Sequence, residues 1–176
     1  MREFAERIRS VGFRCTGCCD CCRSESGESN IVIVSPPEIR DIMESTGLLW
    51  DDVVEPYPEF ISEKGACYTF AWCLRRRDGD CIFLKDGRCS IYAHRPWICR
   101  TYPFMLDGDE LLVSACRGLD TPMSEEESLC EAETLLQRKN AEEIEEEAIR
   151  ARYAGTVLPC GKRVVFDSEG MKVLNG

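Results

Sequence analysis

The crowding of cysteines near the N-terminus is the feature that most constrains how this chain can fold. The stretch FRCTGCCDCCR, residues 13–23, places five cysteines within eight consecutive positions. So many thiols cannot all be ordinary core side chains, and a tight loop with two-residue gaps can direct several sulfurs at one metal centre. Cys15, Cys18 and Cys21 reproduce the C-x2-C-x2-C spacing that is typical of bacterial-type iron–sulfur loops.

Cys22 follows Cys21 directly and leaves two assignments open. Neighbouring side chains on an extended backbone point to opposite sides, so these two thiols are poorly placed to share one tetrahedral ion. We therefore predict either that they serve two neighbouring sites or that one of them is a structural thiol. The adjacent Cys18 and Cys19 raise the same ambiguity.

A second group of cysteines follows further along the chain. The sequence CIFLKDGRCSIY, residues 81–92, predicts a β-hairpin that turns at Asp86-Gly87 and holds Cys81 and Cys89 on opposite arms. Eight thiolates suit two four-coordinate sites or one larger cluster. The predicted ligands are Cys15, Cys18, Cys21, Cys22, Cys81, Cys89, Cys99 and Cys116.

The remaining candidates carry weaker signals. Cys67 and Cys73 could be further ligands, whereas Cys130 and Cys160 are predicted to be structural or surface thiols. His94 is the only histidine, and its place beside an Arg-Pro pair is more typical of a packed or surface residue than of a ligand.

The N-terminal sequence predicts a reducing environment. MREFAERIRSVGF carries charges at every turn and lacks the apolar stretch of a signal peptide, and no run of about 18 apolar residues occurs in the chain. We therefore predict a cytoplasmic protein. In such a compartment cysteines more often bind metal than form disulfides, and an odd count of 13 leaves at least one thiol unpaired in any disulfide scheme.

The net charge of −10 limits the partners that the chain can bind. It disfavours nucleic acid and an acidic membrane surface, so we predict neither, and a protein is the expected partner. The cysteine region is locally basic, since residues 67–100 contain seven Lys and Arg against three Asp. Residues 121–150 are strongly acidic, with ten Glu against three Lys and Arg.

The basic side chains near the thiols have a specific predicted role. A metal centre with four thiolates carries a formal net charge of about −2, and burying it requires cations or N–H donors. We predict that Arg95 and Arg100 donate hydrogen bonds to the sulfurs or to the backbone around them, with an ordinary structural role as the alternative. The aromatic side chains of this region are predicted to shield the site from water, namely Tyr92, Trp97, Tyr102 and Phe104.

The mixture of short helices and strands predicts an α+β fold, a small cysteine-rich domain centred on metal, with short hairpins and flanking helices. We expect a single domain over residues 1–176. Its predicted parts are a metal-binding core over 13–118, an acidic helical segment over 122–153 and a C-terminal hairpin over 160–176.

Local signals predict the individual elements. Residues 1–11 and 124–153 read as helices, SPPEIRDIMESTG as a helix with a capping box at Ser35 and Glu38 that stops at Gly47, and 48–63 as a further helix or helical turn. Residues 31–34 read as a buried strand and 24–30 as a polar loop. Two more hairpins are predicted, with turns at 107–109 and 168–170.

The two cysteine groups together resemble the CxxCxxCC (YkgJ-type) family of cysteine-cluster proteins, whose domains are described as zinc- or iron-chelating. The resemblance covers residues 13 to about 118. It rests on F-x-C-x-x-C-x-x-C-C from Phe13 to Cys22, on C-x-F-L…C-x-I-Y-x-x-R-P-x-x-C-R-x-Y-P from Cys81 to Pro103, and on Cys116-Arg117-Gly118. Two features depart from the family pattern: Cys19 stands where the family usually has glycine, and Cys67 and Cys73 are additions. The resemblance implies metal or iron–sulfur binding.

Three functions are compatible with the sequence. The first is an iron–sulfur protein that transfers electrons or handles clusters, which the cysteine spacing and the basic surroundings favour. The second is a structural zinc protein whose surface binds a partner, which two sets of four cysteines would suit. The third is a small metal-dependent modification enzyme, and it ranks last because the sequence supplies no general base, activated nucleophile or nucleotide loop.

Overall fold

The computed structural model describes residues 1–24, 30–63 and 65–174, and it confirms the predicted α+β class. The α-helices in this part of the chain are α1 (Arg2–Val11), α2 (Pro36–Thr46), α3 (Trp50–Val53), α4 (Trp97–Thr101) and α5 (Glu125–Tyr153). Two 3₁₀ turns cover Asp20–Cys22 and Tyr92–His94. Within the described residues, no helix combines the length and the hydropathy that crossing a membrane requires.

Short strands make up the rest of the regular structure. In chain order they are β1 (Ile33–Val34), β2 (Val54–Pro56), β3 (Ile61–Glu63), β4 (Ala66–Thr69), β5 (Trp72–Leu74), β6 (Arg76–Arg77), β7 (Asp80–Cys81), β8 (Leu84–Lys85), β9 (Arg88–Cys89), β10 (Phe104–Asp107), β11 (Glu110–Val113), β12 (Arg163–Asp167) and β13 (Gly170–Val173). One sheet has the order β1-β5-β2 and another the order β13-β12-β4-β3, in which β4 and β12 are parallel. Three separate two-stranded units are β6-β7, β8-β9 and β10-β11.

Three apolar cores hold these elements together. The largest lies between α2 and the three-stranded sheet and includes Ile39 and Ile42 of α2, which have no exposed surface. A second core packs α1 and β10 against the first half of α5, around Phe104 and Leu135. A third lies on the four-stranded sheet around Phe166. A fully buried side chain such as Ile or Phe contributes about 1.5–3 kcal/mol to the free energy of unfolding. The cores therefore contribute most of the packing energy, and the cysteine loops contribute less.

Helix α2 begins and ends where the sequence predicts. At its N-terminus the amide and the hydroxyl of Ser35 donate to one carboxylate oxygen of Glu38, at 2.8 Å and 2.7 Å. At its C-terminus Gly47 adopts a left-handed conformation, with φ of 73°, and its amide donates to the carbonyl of Met43 at 2.8 Å. This conformation favours glycine because a Cβ atom would be strained there.

Helix α5 is anchored near its midpoint and at its C-terminal end, and it is less covered between these two points. In its first half Leu135 is buried, and near its midpoint the guanidinium of Arg138 donates to the hydroxyl of Thr101 in α4 at 2.9 Å. At its end the hydroxyl of Tyr153 lies 2.9 Å from the hydroxyl of Tyr68. Between these anchors Ile144 is 58% exposed.

Two hairpin turns fall where the sequence predicts them. β10 pairs with β11 up to Asp107 and Glu110, so the chain reverses at 108–109. β12 pairs with β13 up to Asp167 and Gly170, so the second turn lies at 168–169. Residues 175–176 of the predicted C-terminal hairpin and residues 25–29 of the predicted polar loop lie outside the described residues.

Of the two alternatives predicted over 48–63, the helical turn is correct and the longer helix is wrong. α3 covers Trp50–Val53, and the chain continues as β2 and β3. Val54 pairs with Leu74 of β5 and is 2% exposed. Burial of this β-branched residue on a sheet, together with the prolines at 56 and 58, overrides the local helical pattern. The strand predicted over 31–34 is also shorter, since β1 covers Ile33–Val34.

The hairpin predicted over 81–92 is correct at its turn and wrong at its first arm. Asp86 and Gly87 join β8 to β9 with φ of 50° and 70°, and Cys89 lies opposite Leu84. Cys81, however, pairs with Arg76 in the preceding β6-β7 unit. The reason is an earlier tight turn at 78–79, another Asp-Gly pair with positive φ, which pairs residues 80–81 with the strand before them.

Candidate metal centre

The first cysteine loop is a compact turn and not an extended segment. Cys19 has a left-handed backbone, with φ of 59°, and is 8% exposed. It leads into the 3₁₀ turn Asp20–Cys22, so the premise that Cys21 and Cys22 lie on extended backbone and point to opposite sides is wrong. Their side chains form a hydrogen bond with each other.

Glycine at position 118 allows the first cysteine loop to approach the last cysteine. The amide of Arg14 donates to the carbonyl of Gly118 at 2.9 Å, and Phe13 forms a β-bridge with Leu119. A Cβ atom at Gly118 would lie 2.1 Å from the carbonyl oxygen of Arg14. Only glycine fits this contact, which places Cys116 beside the N-terminal loop.

The second cysteine group comes from four different elements. Cys81 lies in β7, Cys89 ends β9, Cys99 lies in α4, and Cys116 follows β11. Three of them, Cys81, Cys89 and Cys99, pack against the largest core, so their positions depend on tertiary packing. All four have intermediate exposure.

One set of thiols forms around Cys22. Its hydrogen bond to Cys21, burial, and the charges of Cys21, Cys81 and Cys89 raise the pKa of Cys22. Burial likewise raises the pKa of Cys99 to about 12, with further contributions from Cys81, Cys21 and Cys89. Mutual influence of this kind requires proximity, so these thiols form one neighbourhood: Cys21, Cys22, Cys81, Cys89 and Cys99.

A second set forms around Cys116. Burial raises the pKa of this thiol, and so do the charges of Cys18, Cys21 and Cys15. Cys21 acts on members of both sets and lies between them. Cys21 acts on Cys81, Cys89 and Cys99 as well as on Cys116, so thiols of both cysteine motifs influence one another.

Backbone amides point at three of the sulfurs. The amide of Gly118 donates to the sulfur of Cys116 at 3.4 Å. Burial raises the pKa of Cys81 and of Cys89, while hydrogen bonds from the amides of Phe83 and Ile91 oppose that rise. In each case the donor is two residues beyond the cysteine. Such donors stabilise the thiolate, which is the form that binds metal.

The adjacent thiols Cys21 and Cys22 have different proton affinities. The hydrogen bond from Cys22 lowers the pKa of Cys21 to about 7, and the positive charge of Arg95 contributes in the same direction. Cys22 retains its proton as the donor of that bond. Cys21 therefore ionises more readily than Cys22.

Of the two predicted arginines, Arg95 acts on the thiols directly. Its guanidinium donates to the carbonyl of Cys99 at 3.2 Å and to that of Tyr92 at 3.1 Å. Arg100 instead donates to the carbonyl of Arg95, and its guanidinium lies 5.3 Å from the ring centroid of Trp97. Arg100 therefore orders the backbone of Arg95 and does not contact a sulfur through its hydrogen bonds.

The aromatic residues shield the thiols less than predicted. Tyr92 is hydrogen-bonded to Cys15 but is 54% exposed. Burial and the charge of Cys116 raise the pKa of Tyr102, which places this residue beside the thiols as well. Trp97 lines a separate cavity, and Phe104 belongs to the core under α5. With Cys15 and Cys21 exposed, the centre lies at the surface.

The other candidates lie elsewhere, with one exception. Cys19 acts on the pKa of Cys89 and so belongs to the same region. Cys73 is buried in the main sheet, where burial raises its pKa to about 11 and its thiol donates to the carbonyl of Glu55 at 3.5 Å. Cys130 and Cys160 are exposed. His94 pairs with Asp41, with 3.2 Å between the ring nitrogen and the carboxylate.

The donor set fits a thiolate-ligated metal in its chemistry. Thiolates are soft ligands that select zinc or iron–sulfur clusters, and three of these sulfurs already receive amide donors. Among residues 1–24, 30–63 and 65–174, no three His, Cys, Asp or Glu side chains form a ready-made coordination shell. Binding would therefore draw the sulfurs closer together, as metal ligation commonly does in small cysteine-rich domains.

Glu131 is a charged residue near this region that the sequence does not distinguish from its neighbours. One of its carboxylate oxygens is buried without a hydrogen-bond partner. Burial raises the pKa of Glu131 to about 7, against the opposing effect of Arg95. In a helix with many glutamates, only its place on the face towards α4 could have identified it.

Comparison with known proteins bears on the same residues. The family model described as "CxxCxxCC: Putative zinc- or iron-chelating domain" matches residues 14–131. The "Uncharacterized protein MJ0661" of Methanocaldococcus jannaschii is 27% identical over 128 residues. That alignment covers 66% of this chain and 63% of the relative. No solved structure matches the chain.

We expect Gly118→Ala to disrupt the centre, because the new Cβ atom would meet the carbonyl of Arg14 at 2.1 Å. The free energy of unfolding should fall by about 2 kcal/mol or more, and bound metal should fall with it. Urea unfolding and metal analysis measure both. Gly155→Ala is the matched control, since nothing lies within 4 Å of a Cβ atom there. Equal behaviour of the two variants would contradict the role given to Gly118.

Because the pKa of Glu131 is raised in the folded protein, we expect this residue to make the protein less stable as pH rises from about 4.5 to about 7. In this window the unfolded chain releases a proton that the folded carboxyl retains. Glu131→Gln should therefore raise the free energy of unfolding at pH 8 by about 1–2 kcal/mol, a value reduced for partial solvent screening. Unfolding curves at pH 4 and pH 8 test this. The gain should vanish at pH 4, and Glu143→Gln on the exposed side of α5 should show none.

Proposed function

The chain belongs to the CxxCxxCC family of zinc- or iron-chelating domains, and we propose that it holds an iron–sulfur cluster for electron transfer or cluster handling. The observation that carries this proposal is the convergence of thiols from both cysteine motifs on one surface region, with Cys21 between the two sets. The C-x2-C-x2-C spacing of the first loop supports it, since that spacing is typical of iron–sulfur proteins.

The number of thiols in the region also supports this function. Counting Cys19, nine cysteines influence one another there. A single four-coordinate zinc ion uses four ligands at most, so the region offers many more than one such ion needs. A bound iron–sulfur cluster would supply one-electron chemistry, with a potential set by net charge, hydrogen bonds to sulfur and solvent exposure.

The residues of this chain would tune such a centre in identifiable ways. The amides of Phe83, Ile91 and Gly118 place positive dipoles at three sulfurs, and Arg95 adds a full positive charge. Both effects stabilise the more negative, reduced state and so favour a higher potential. Exposed Cys15 and Cys21 leave one side open, which suits exchange of an electron or a cluster with a partner.

A structural zinc protein that binds a partner is the second candidate. The number of predicted ligands favours it: eight thiols would divide into two sets of four, with Cys81, Cys89 and Cys99 in one, Cys15, Cys18 and Cys116 in the other, and Cys21 and Cys22 one in each. Two sets of four thiolates suit two tetrahedral zinc sites. In a domain of this size such sites would act chiefly by stabilising the fold.

Metal analysis of protein purified without oxygen distinguishes the two functions. We expect bound iron with acid-labile sulfide, and absorbance near about 400 nm from thiolate-ligated iron. Colourless protein with about two zinc ions per chain would overturn the iron–sulfur proposal and favour the structural function. Protein that binds neither metal would contradict both.

Replacement of one cysteine from each set tests whether both contribute. We expect Cys18→Ser and Cys99→Ser each to lower bound metal by at least about half, because each removes a thiolate ligand. Cys130→Ser is the control, since this exposed thiol lies on α5 outside the region. Full metal content in Cys99→Ser would exclude Cys99 as a ligand. Far-ultraviolet circular dichroism shows whether a variant has merely unfolded.

A further inference from the structure

A large apolar groove lies beside the metal centre and has no role in it. Its volume is about 860 Å³, and it runs between the second half of α5 and the wall formed by β1, β5 and α4. Trp97 and Ile98 of α4 line it, while Cys99, the next residue, belongs to the thiol region. The two features thus share one five-residue helix.

Exposed apolar side chains collect around this groove. Ile33 is 45% exposed, Met105 is 40% exposed and Ile144 is 58% exposed, and all three line it. They come from β1, β10 and α5, so the fold brings exposed apolar side chains from three elements together into one surface. A contiguous apolar surface of this kind is typical of an interaction site.

Most carboxylates at the groove have an ion-pair or hydrogen-bond partner within the protein. Glu142 pairs with Arg138 at 2.7 Å, and Glu146 pairs with Arg150 at 2.5 Å. Asp167 accepts a hydrogen bond from the indole of Trp72 at 2.8 Å and pairs with Lys172 at 3.4 Å. Glu38 accepts the amide of Trp97 at 2.8 Å.

Glu145 is the exception among them. In the described part of the chain no Lys or Arg forms an ion pair with it. Burial raises its pKa, as do the negative charges of Asp167, Glu38 and Glu169, while a hydrogen bond from Ser168 opposes the rise. The middle of the groove is therefore apolar with an uncompensated negative charge.

We propose that this groove binds a basic amphipathic helix of a protein partner, with apolar side chains against Trp97 and Ile144 and a Lys or Arg beside Glu145. The groove follows α5 from Arg138 to Tyr153, a length of about 22 Å at 1.5 Å per residue, which matches a partner helix of similar length. Helices commonly bind in apolar grooves through residues spaced three and four apart.

Charge complementarity selects this occupant over the alternatives. Nucleic acid and acidic lipid would both bring negative charge to Glu145. A second copy of this chain would place the strongly acidic α5 against the same carboxylates, in a protein of net charge −10. The inference rests on the groove alone and does not depend on which metal the centre holds.

A synthetic peptide tests the proposal. The probe is a 16-residue helix with Leu at every third or fourth position and Lys beside the Leu stripe; a scrambled peptide and one with Glu for Lys are controls. Calorimetric titration into the full chain as purified should show binding of the probe alone. Fluorescence of Trp72 and Trp97 should change, because both line the groove.

Paired variants separate binding in the groove from attraction by net charge. Ile144→Asp and Glu145→Lys should each weaken binding about tenfold or more, as substitutions at the centre of an interface do. Glu143→Lys and Glu147→Lys change charge on the same helix at exposed positions that do not line the groove, and should alter binding by less than about twofold. Met105→Asp on the opposite wall should weaken binding without any change to α5.

Several results would overturn the proposal. Equal loss in all four α5 variants would mean that the peptide follows net charge, and equal binding of the scrambled or Glu-containing peptide would remove the specificity. Self-association of the chain that is abolished by Ile144→Asp would assign the groove to a second copy. Metal content is measured in every variant, so a lost peptide site is distinguished from a lost metal centre.

Discussion

Repulsion among neighbouring thiolates is the constraint on which the arrangement of this protein depends. Two unit charges about 4 Å apart repel by about 4 kcal/mol at the effective dielectric constant near a protein surface. The fold opposes this repulsion with amides at Cys81, Cys89 and Cys116 and with the guanidinium of Arg95. Burial, and after it the charges of Cys81, Cys21 and Cys89, still raises the pKa of Cys99 to about 12. A bound metal cation would offset the remaining repulsion, in agreement with the metal-chelating family to which the chain belongs.

Packing and ligation meet in this chain, because three of the predicted ligands also pack against the largest core: Cys81, Cys89 and Cys99. The thiols themselves lie on turns and on elements of two to five residues, and short elements of this kind can shift when sulfurs are drawn together. Gly118 connects the first cysteine loop to the segment that carries Cys116. Its carbonyl accepts the amide of Arg14, next to the β-bridge between Phe13 and Leu119.

Features fixed by a few adjacent residues could be predicted from the sequence, and features fixed by distant pairing could not. The capping box of α2 and the turn at Asp86-Gly87 are local, and both are present. The position of Cys81 depended on pairing with Arg76, and the end of the helix at 48–63 on pairing with β5. For the site, the ligand set stays a prediction from cysteine spacing and family resemblance. The left-handed backbone at Cys19 could not be predicted, because this conformation is uncommon for this residue type.

Helix α5 shows how a groove can be held open by the same packing that stabilises the fold. Ion pairs such as Glu146 with Arg150 contribute only about 0.3–0.5 kcal/mol each, so local interactions alone would not keep the exposed middle of the helix ordered. Contacts at the two ends of the groove do so instead. Arg138, at the middle of α5, is fixed to α4, and Tyr153, at the C-terminal end of α5, packs against Phe166 with ring centroids 5.3 Å apart. A helix fixed in this way spans the groove without filling it, so an occupant would meet a preformed surface and lose little conformational entropy of the protein on binding.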